Sequence, residues 1–271
     1  MDVRQPGHAV IADFVGLSAA SAVALLVLHT ITFSIGHRIG RYNVVDVAWG
    51  LGFIVVAAVA AVLGDGDPAR RWLLLALVAI WALRLSGYIY RRSLGHGEDP
   101  RYADMLRGAG VGQVVVKVFV VQAFATWFIS LPLQLSAVSG PTPRTWLAAT
   151  VVGALVWLTG LLFEAIGDRQ LRAFKSDPAH RGLLMDRGLW AWTRHPNYFG
   201  NACVWWGLWL ITLAGWWSLA TVFSPALMTY FLVQVTGARL TEKYMRGRSG
   251  FGEYQQRTSF FVPRPPRSRR T

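Results

Sequence analysis

An all-helical, polytopic membrane bundle of about seven spans is the fold this sequence predicts, and three observations predict it. The 271 residues are 54% hydrophobic and 15% charged, with a mean hydropathy of +0.37, too apolar for an ordinary soluble domain. Seven apolar runs approach the roughly 20 residues that a helix needs to cross a bilayer. The net charge of +13 falls mainly in alternate connections, the pattern that fixes membrane orientation.

The runs are Val10 to Ile35, Val44 to Gly64, Trp72 to Tyr90, Val111 to Leu135, Trp146 to Ile166, Tyr198 to Trp216 and Leu219 to Val235. The first is too long for a cleavable leader and no basic segment precedes it, so it reads as a true span. The connections after the first, third and fifth runs carry Arg38 and Arg41; Arg91, Arg92, Arg101 and Arg107; and Arg169, Arg172, Lys175, Arg181, Arg187 and Arg194. Nine more basic residues lie between Arg239 and Arg270, whereas the other connections hold only Arg70, Arg71 and Arg144. The N-terminus is therefore expected outside and the C-terminus in the cytoplasm.

Residues 1–263 read as one integral-membrane domain, and 264–271 as a flexible Arg/Pro end suited to anionic lipid. Two cytoplasmic connections are long, Arg91 to Gly110 and Gly167 to Pro196, and long connections are often functional. The stretch from Gly237 to Pro263 is too polar to span and too aromatic for disorder, so helical segments are expected there. No soluble fold surrounds the basic charge, which argues against nucleic-acid binding. The single cysteine, Cys203, has no internal partner, and the six histidines form no HxxH or HxxxH pair, so a metal site is not expected. Gly108-Ala109-Gly110-Val111-Gly112 lacks the spacing and the strand–turn–helix context of a phosphate loop.

Ionisable groups near the bilayer carry more weight. Asp46 opens the second run, Arg84 lies inside the third with Tyr88 one turn on, and Lys117 lies in the fourth. Glu164 and Asp168 close the fifth, one turn apart. If that helix continues, Asp168, Arg172 and Lys175 share a face, a strip suited equally to a polyanion or to lipid headgroups. The segment Trp192-Thr193-Arg194-His195-Pro196-Asn197-Tyr198-Phe199-Gly200 then sets two cations, a carboxamide and a phenol at a helix mouth.

This order, with Asp46-Val47-Ala48-Trp49-Gly50, Trp81-Ala82-Leu83-Arg84-Leu85-Ser86 and Glu98-Asp99-Pro100-Arg101-Tyr102 before it and Glu242-Lys243 and Gly252-Glu253-Tyr254 after it, resembles the steroid 5α-reductase superfamily. More narrowly, it is similar to the superfamily's bacterial DUF1295 branch of membrane proteins, over nearly the whole chain. The resemblance implies a seven-helix bundle in a bacterial inner membrane. It also implies reduction, with NADPH, of a carbon–carbon double bond conjugated to a carbonyl. The cofactor would come from the cytoplasm and a lipidic substrate from the bilayer.

By the same resemblance, the cofactor shell comprises Glu164, Asp168, Arg172, Lys175, Arg194, His195, Asn197, Tyr198, Asn201, Trp205, Glu242 and Tyr254. The acid side of the reaction falls to Asp46, Arg84 and Tyr88. Two positions depart from the pattern: Trp81 stands where steroid reductases carry a tyrosine, and Asn201 where relatives carry an acid. A steroid, another polycyclic enone, an enoyl lipid or a quinone-like isoprenoid all fit as substrate, and oligomeric state is open. Two other functions stay in play. One is an isoprenylcysteine-methyltransferase-like enzyme using S-adenosylmethionine, whose family shares an RHPxY segment. The other is a non-catalytic lipid- or sterol-binding protein.

Overall fold

The computed structural model describes residues 6–266, so the basic end expected from Arg264 lies, beyond Pro266, outside the described residues. Among those residues there is no strand. One isolated bridge joins Thr193 to Ser259. Six helices are long and apolar enough to cross a membrane, and the chain divides into two compact units, Met1–Ala148 with Ile211–Ser224, and Ala149–Leu210 with Pro225–Thr271.

The first unit begins with α1 (Pro6–Ile39), α2 (Val45–Leu63) and α3 (Pro68–Ser93). Leu17, Ser21, Leu25 and His29 recur every four residues on the buried stripe of α1, while Val23, Leu26, Val27 and Ile31 are exposed. In a bilayer that outer stripe meets lipid. α2 and α3 form a tight hairpin. Phe53 and Trp81 are fully buried and meet edge to face at 5.8 Å, and Ser86 Oγ donates to Val47 O at 2.8 Å. Asp67 caps α3 by accepting Arg70 N at 3.1 Å, with Pro68 at the first position, the usual economy at a helix start.

Arg70 and Arg71, in the first turn of α3, are bonded within the first unit. Arg70, 5% exposed, donates to Ser136 Oγ, Thr142 Oγ1 and the carbonyls of Ser136, Ser139 and Gly140. Arg71 donates to the last carbonyls of α2, Ala61 O and Gly64 O. Both satisfy helix-end acceptors that apolar surroundings would leave orphaned.

A short α4 (Pro100–Met105) precedes α5 (Val111–Ile129), which contains a π-helical stretch over Val115–Val120. The fourth apolar run was expected to continue to Leu135. Instead α5 stops at Ile129 and α6 (Leu131–Ala137) begins with Pro132 near its N-terminus, because proline cannot donate into the preceding turn.

The second unit is built on α7 (Leu147–Ser176) and α8 (Pro196–Thr212), followed by α9 (Phe223–Tyr230), α10 (Ala238–Met245) and α11 (Phe251–Arg257). α8, at 17 residues, is the sixth run as read from the sequence. The seventh run lies within Trp216–Met245, one of the six candidate spans, which passes from a 3₁₀ stretch over Trp216–Val222 through α9 to a π stretch over Phe231–Val235, whereas α8 is not among the six. The helical segments expected between Gly237 and Pro263 are α10 and α11.

Glycines set the α7–α8 contact. A Cβ on Gly160 would lie 2.5 Å from Gly200 O, one on Gly200 2.5 Å from Gly160 O, and one on Gly207 2.6 Å from Gly153 O. As the residue number rises on one helix it falls on the other, so the pair is antiparallel and in backbone contact. Such an approach is open only to glycine, and it is how membrane helices associate when apolar burial offers no driving force.

Candidate functional site

The residues expected to act fall into one group in each unit. In the first unit, Asp46 sits in the opening turn of α2, where it caps nothing and is instead held by residues far along the chain. Tyr102 Oη donates to Asp46 Oδ1 at 2.5 Å and Arg101 Nη2 to Asp46 Oδ2 at 3.3 Å. Arg101 also donates from Nε and Nη2 to the two oxygens of Asp99, both at 3.0 Å. Burial pushes the Asp99 carboxyl up, but its hydrogen bonds from Arg101 outweigh this and leave it below the usual range. Burial first, then the Asp46 charge, hold the Tyr102 phenol well above its ordinary value, so Tyr102 is a donor here.

Glu98 fixes the chain just before α2. Its carboxylate accepts Tyr42 N at 2.5 Å and Asn43 N at 2.9 Å. Gln122 on α5 donates to Tyr102 Oη at 3.3 Å. Arg84 and Tyr88 are half-buried on α3. Tyr102 was not among the residues singled out for a role, although it ends the Glu98–Tyr102 motif. Its partner lies 56 positions away, and no local pattern announces such a bond.

In the second unit, α7 does continue past the apolar run, to Ser176, so Asp168, Arg172 and Lys175 share a helical face as the spacing required. Glu164 and Asp168 are buried, while Arg172 and Lys175 are exposed. Gly200 brings the start of α8 against Glu164, because a Cβ there would lie 3.0 Å from Glu164 Cγ. On α8, Asn197, Asn201 and Trp205 recur at i, i+4 and i+8 and so line one face. Asn197 Oδ1 accepts its neighbour's Tyr198 N at 3.0 Å. Asn201 is 5% exposed, and its Oδ1 has no hydrogen-bond partner among the described residues. An acid at 201 would add a buried carboxylate to a segment whose adjacent residue already abuts Glu164, a costly arrangement without a cation.

Arg194, His195 and Glu242 form one cluster. Arg194 Nε donates to Glu242 Oε1 at 2.6 Å, and His195 Nε2 lies 3.2 Å from the same oxygen. Gln255 Nε2 donates to Glu242 Oε2 at 3.0 Å. Arg194 Nη1 also reaches the carbonyls of Gln255 and Thr258 at 3.1 and 2.7 Å. The Phe260 ring lies 5.4 Å from the Arg194 guanidinium and edge-on to His195. Burial lowers the His195 pKa, and its bond to Glu242 only partly offsets this.

Tyr254, also expected to touch a cofactor, is buried and donates to Trp190 O at 2.6 Å. Tyr198 stacks on His195 and lies 3.4 Å from Thr241 Oγ1. The turn Leu189–Trp192 is tied to α7 by Leu189 N to Gln170 Oε1 and Trp190 Nε1 to Gly167 O, both 3.0 Å. Gly188 before it has φ +58° and Gln170 pressed against it, a place only glycine takes readily. The structure thus gives Arg194, His195, Tyr198, Glu242 and Tyr254 contacts within the second unit, and sets the exposed Arg172 and Lys175 on the same face of α7 as the buried Asp168.

The sequence profile of a family described as "Protein of unknown function (DUF1295)" matches residues 32–258. No curated protein matches the chain. No solved structure matches it either.

Proposed function

The chain belongs to the DUF1295 family, and on that premise we propose that it is an NADPH-dependent membrane reductase of a lipidic substrate whose carbon–carbon double bond is conjugated to a carbonyl. The observation that carries this reading is the Arg194–Asn201 segment at the start of α8. There a buried carboxamide with an open acceptor follows a basic strip on α7, the donor set a nicotinamide cofactor with phosphates needs. Arg172 and Lys175 would meet the phosphates, Asn197 and Asn201 the polar edge of the cofactor, and Asp168 and Glu164 its hydroxyls. Trp205 closes the apolar side, with Arg194, His195, Tyr198, Glu242 and Tyr254 keeping the segment in place. NADPH supplies a hydride for the β-carbon. The proton that completes the new CH–CH bond goes to the α-carbon, and the developing enolate needs a donor. Asp46, Arg84 and Tyr88 are the proposed groups, with Tyr102 added because its phenol touches Asp46.

The reading extends to topology: seven spans with α8 among them, acting as one domain over residues 1–263, N-terminus outside, in a bacterial inner membrane. Support comes from Arg70 and Arg71. With Arg144 they are the only basic residues on the outer connections, and the excess of Lys and Arg on the alternate connections and the C-terminal stretch places those inside.

Titration of the purified, detergent-solubilised protein with NADPH and with S-adenosylmethionine tests the proposal. NADPH is expected to bind, and Arg172→Ala to weaken it roughly tenfold by loss of a charge-assisted contact. Binding of S-adenosylmethionine alone would replace this reading with the methyltransferase one. Cofactor binding without oxidation on any enone in lipid would favour a non-catalytic lipid-binding protein.

A further inference from the structure

The polar chain that starts at Asp46 does not end at Tyr102. Arg101 and Tyr102 both donate to Asp46, and Gln122 donates through Nε2 to Tyr102 Oη. Because the Tyr102 hydrogen is committed to Asp46, its oxygen only accepts, which fixes the Gln122 amide with nitrogen toward Tyr102 and oxygen away. That oxygen, Gln122 Oε1, is buried and has no hydrogen-bond partner among the described residues.

A second open acceptor lies on α1. His29 on α1 is 3% exposed. Its Nδ1 lies 2.9 Å from Leu25 O, a carbonyl that can only accept, so Nδ1 carries the hydrogen and Nε2 of the neutral ring is an acceptor. Nε2 is buried, again with no partner among the described residues. The register between α1 and α5 puts the two at one level. Leu25 and Thr126 both press on Gly52, 3.2 and 3.1 Å from where its Cβ would stand, and Phe33 meets Phe119 edge-on at 5.3 Å. His29 falls midway between Leu25 and Phe33, and Gln122 between Thr126 and Phe119. α2 offers Ala48 one turn from Gly52 on the same face, so only small groups come from that side.

We propose that His29 Nε2 and Gln122 Oε1 form a binding site within the first unit for the two hydroxyl groups of a membrane-soluble diol, one hydrogen for each acceptor. Gln122 and Tyr102 both donate in the direction of the Asp46 carboxylate, which leaves Gln122 Oε1 as an acceptor at the far end, and the buried pair it makes with His29 Nε2 needs a ligand with two donors. An amine or a water-soluble polyol would have to leave water to reach a level flanked by the lipid-facing Val27 and Ile31. A lipid diol arrives already dissolved in the bilayer. The site goes beyond the cofactor reading and stands or falls without it.

The test uses the full chain in detergent with ¹⁵N-labelled histidine, 1,2-hexadecanediol as the alcohol probe and its dimethyl ether as the non-donating twin, in the absence of NADPH. The alcohol is expected to move one Nε2 resonance upfield, the signature of a hydrogen bond accepted by that nitrogen. That signal should vanish in His29→Phe, and the ether should leave it in place. Gln122→Leu, which removes the other acceptor and keeps His29, is expected to weaken alcohol binding about tenfold, as for one lost hydrogen bond. Equal responses to alcohol and ether would overturn the proposal. So would an Nε2 signal that is already hydrogen-bonded without ligand and indifferent to the alcohol, since the acceptors would then hold an ordered water. NADPH binding measured on the same preparation separates failure of this site from failure of the reductase reading.

Discussion

Two carboxylates organise this molecule, Asp46 in the first unit and Glu242 in the second, and they are bonded in opposite ways. Glu242 is the centre of a closed set. Both its oxygens are taken by Arg194, His195 and Gln255, and Arg194 spends further donors on the carbonyls of Gln255 and Thr258. Asp46 is the sink of an open one, whose chain of donors through Tyr102 and Gln122 ends in unanswered acceptors. A closed network fixes a fold, here the docking of the C-terminal stretch on the mouth of α8. An open network is built for something that arrives later.

The largest effect expected from breaking this contrast is on the closed side. Glu242→Ala leaves Arg194, whose side chain is 10% exposed, without its counter-charge, and should cost about 3–5 kcal/mol. Thermal unfolding in detergent would read this, with proteolysis after residue 250 as a local reporter. Gly160→Leu comes next. It forces α7 and α8 apart at a point where a Cβ already lies 2.5 Å from Gly200 O, and should cost about 3 kcal/mol in the same assay.

Tyr102→Phe removes one hydrogen bond from a network whose Asp46 keeps Arg101, so the loss should be smaller, about 1–2 kcal/mol. If that variant proves less stable than Glu242→Ala, the distinction between an open and a closed network fails. The mildest prediction concerns pH. Burial depresses the His195 pKa below its usual 6.5. The unfolded chain therefore takes up the proton first, and the stability due to neutral His195 is complete above about pH 6.5 and is lost as pH falls toward the folded value. The slope cannot exceed about 1.4 kcal/mol per pH unit. His195→Phe should flatten it, which unfolding midpoints measured across pH 5–8 would detect.

Much of the architecture was legible before any coordinates. Hydropathy is a local property, so the long helices appear close to where the apolar runs stand, and the common face of Asp168, Arg172 and Lys175 follows from their spacing once α7 continues to Ser176. Two features of the fold have local signals in the sequence. Pro132 marks the break that ends α5 at Ile129. The seven-residue recurrence of Gly153, Gly160 and Gly167, matched by Gly200 and Gly207, marks the α7–α8 contact.

The site was legible as a set of residues and not as a set of bonds. Asp46, Arg194, His195 and Glu242 could be named from their chemistry and from a family likeness, because ionisable groups beside apolar spans are conspicuous. That Arg194 and Glu242 serve each other, 48 positions apart, and that Tyr102 closes on Asp46, could not be read. Both bonds join residues whose separation along the chain has no period.

The sequence by itself determined that this is a helical membrane protein of the DUF1295 family, since helix length, apolarity and charge placement are set residue by residue. Only the tertiary structure decided which polar groups are spent inside the protein and which stay open. A hydrogen bond needs two partners within about 3 Å, and which partners meet there depends on the packing of helices far apart in the chain.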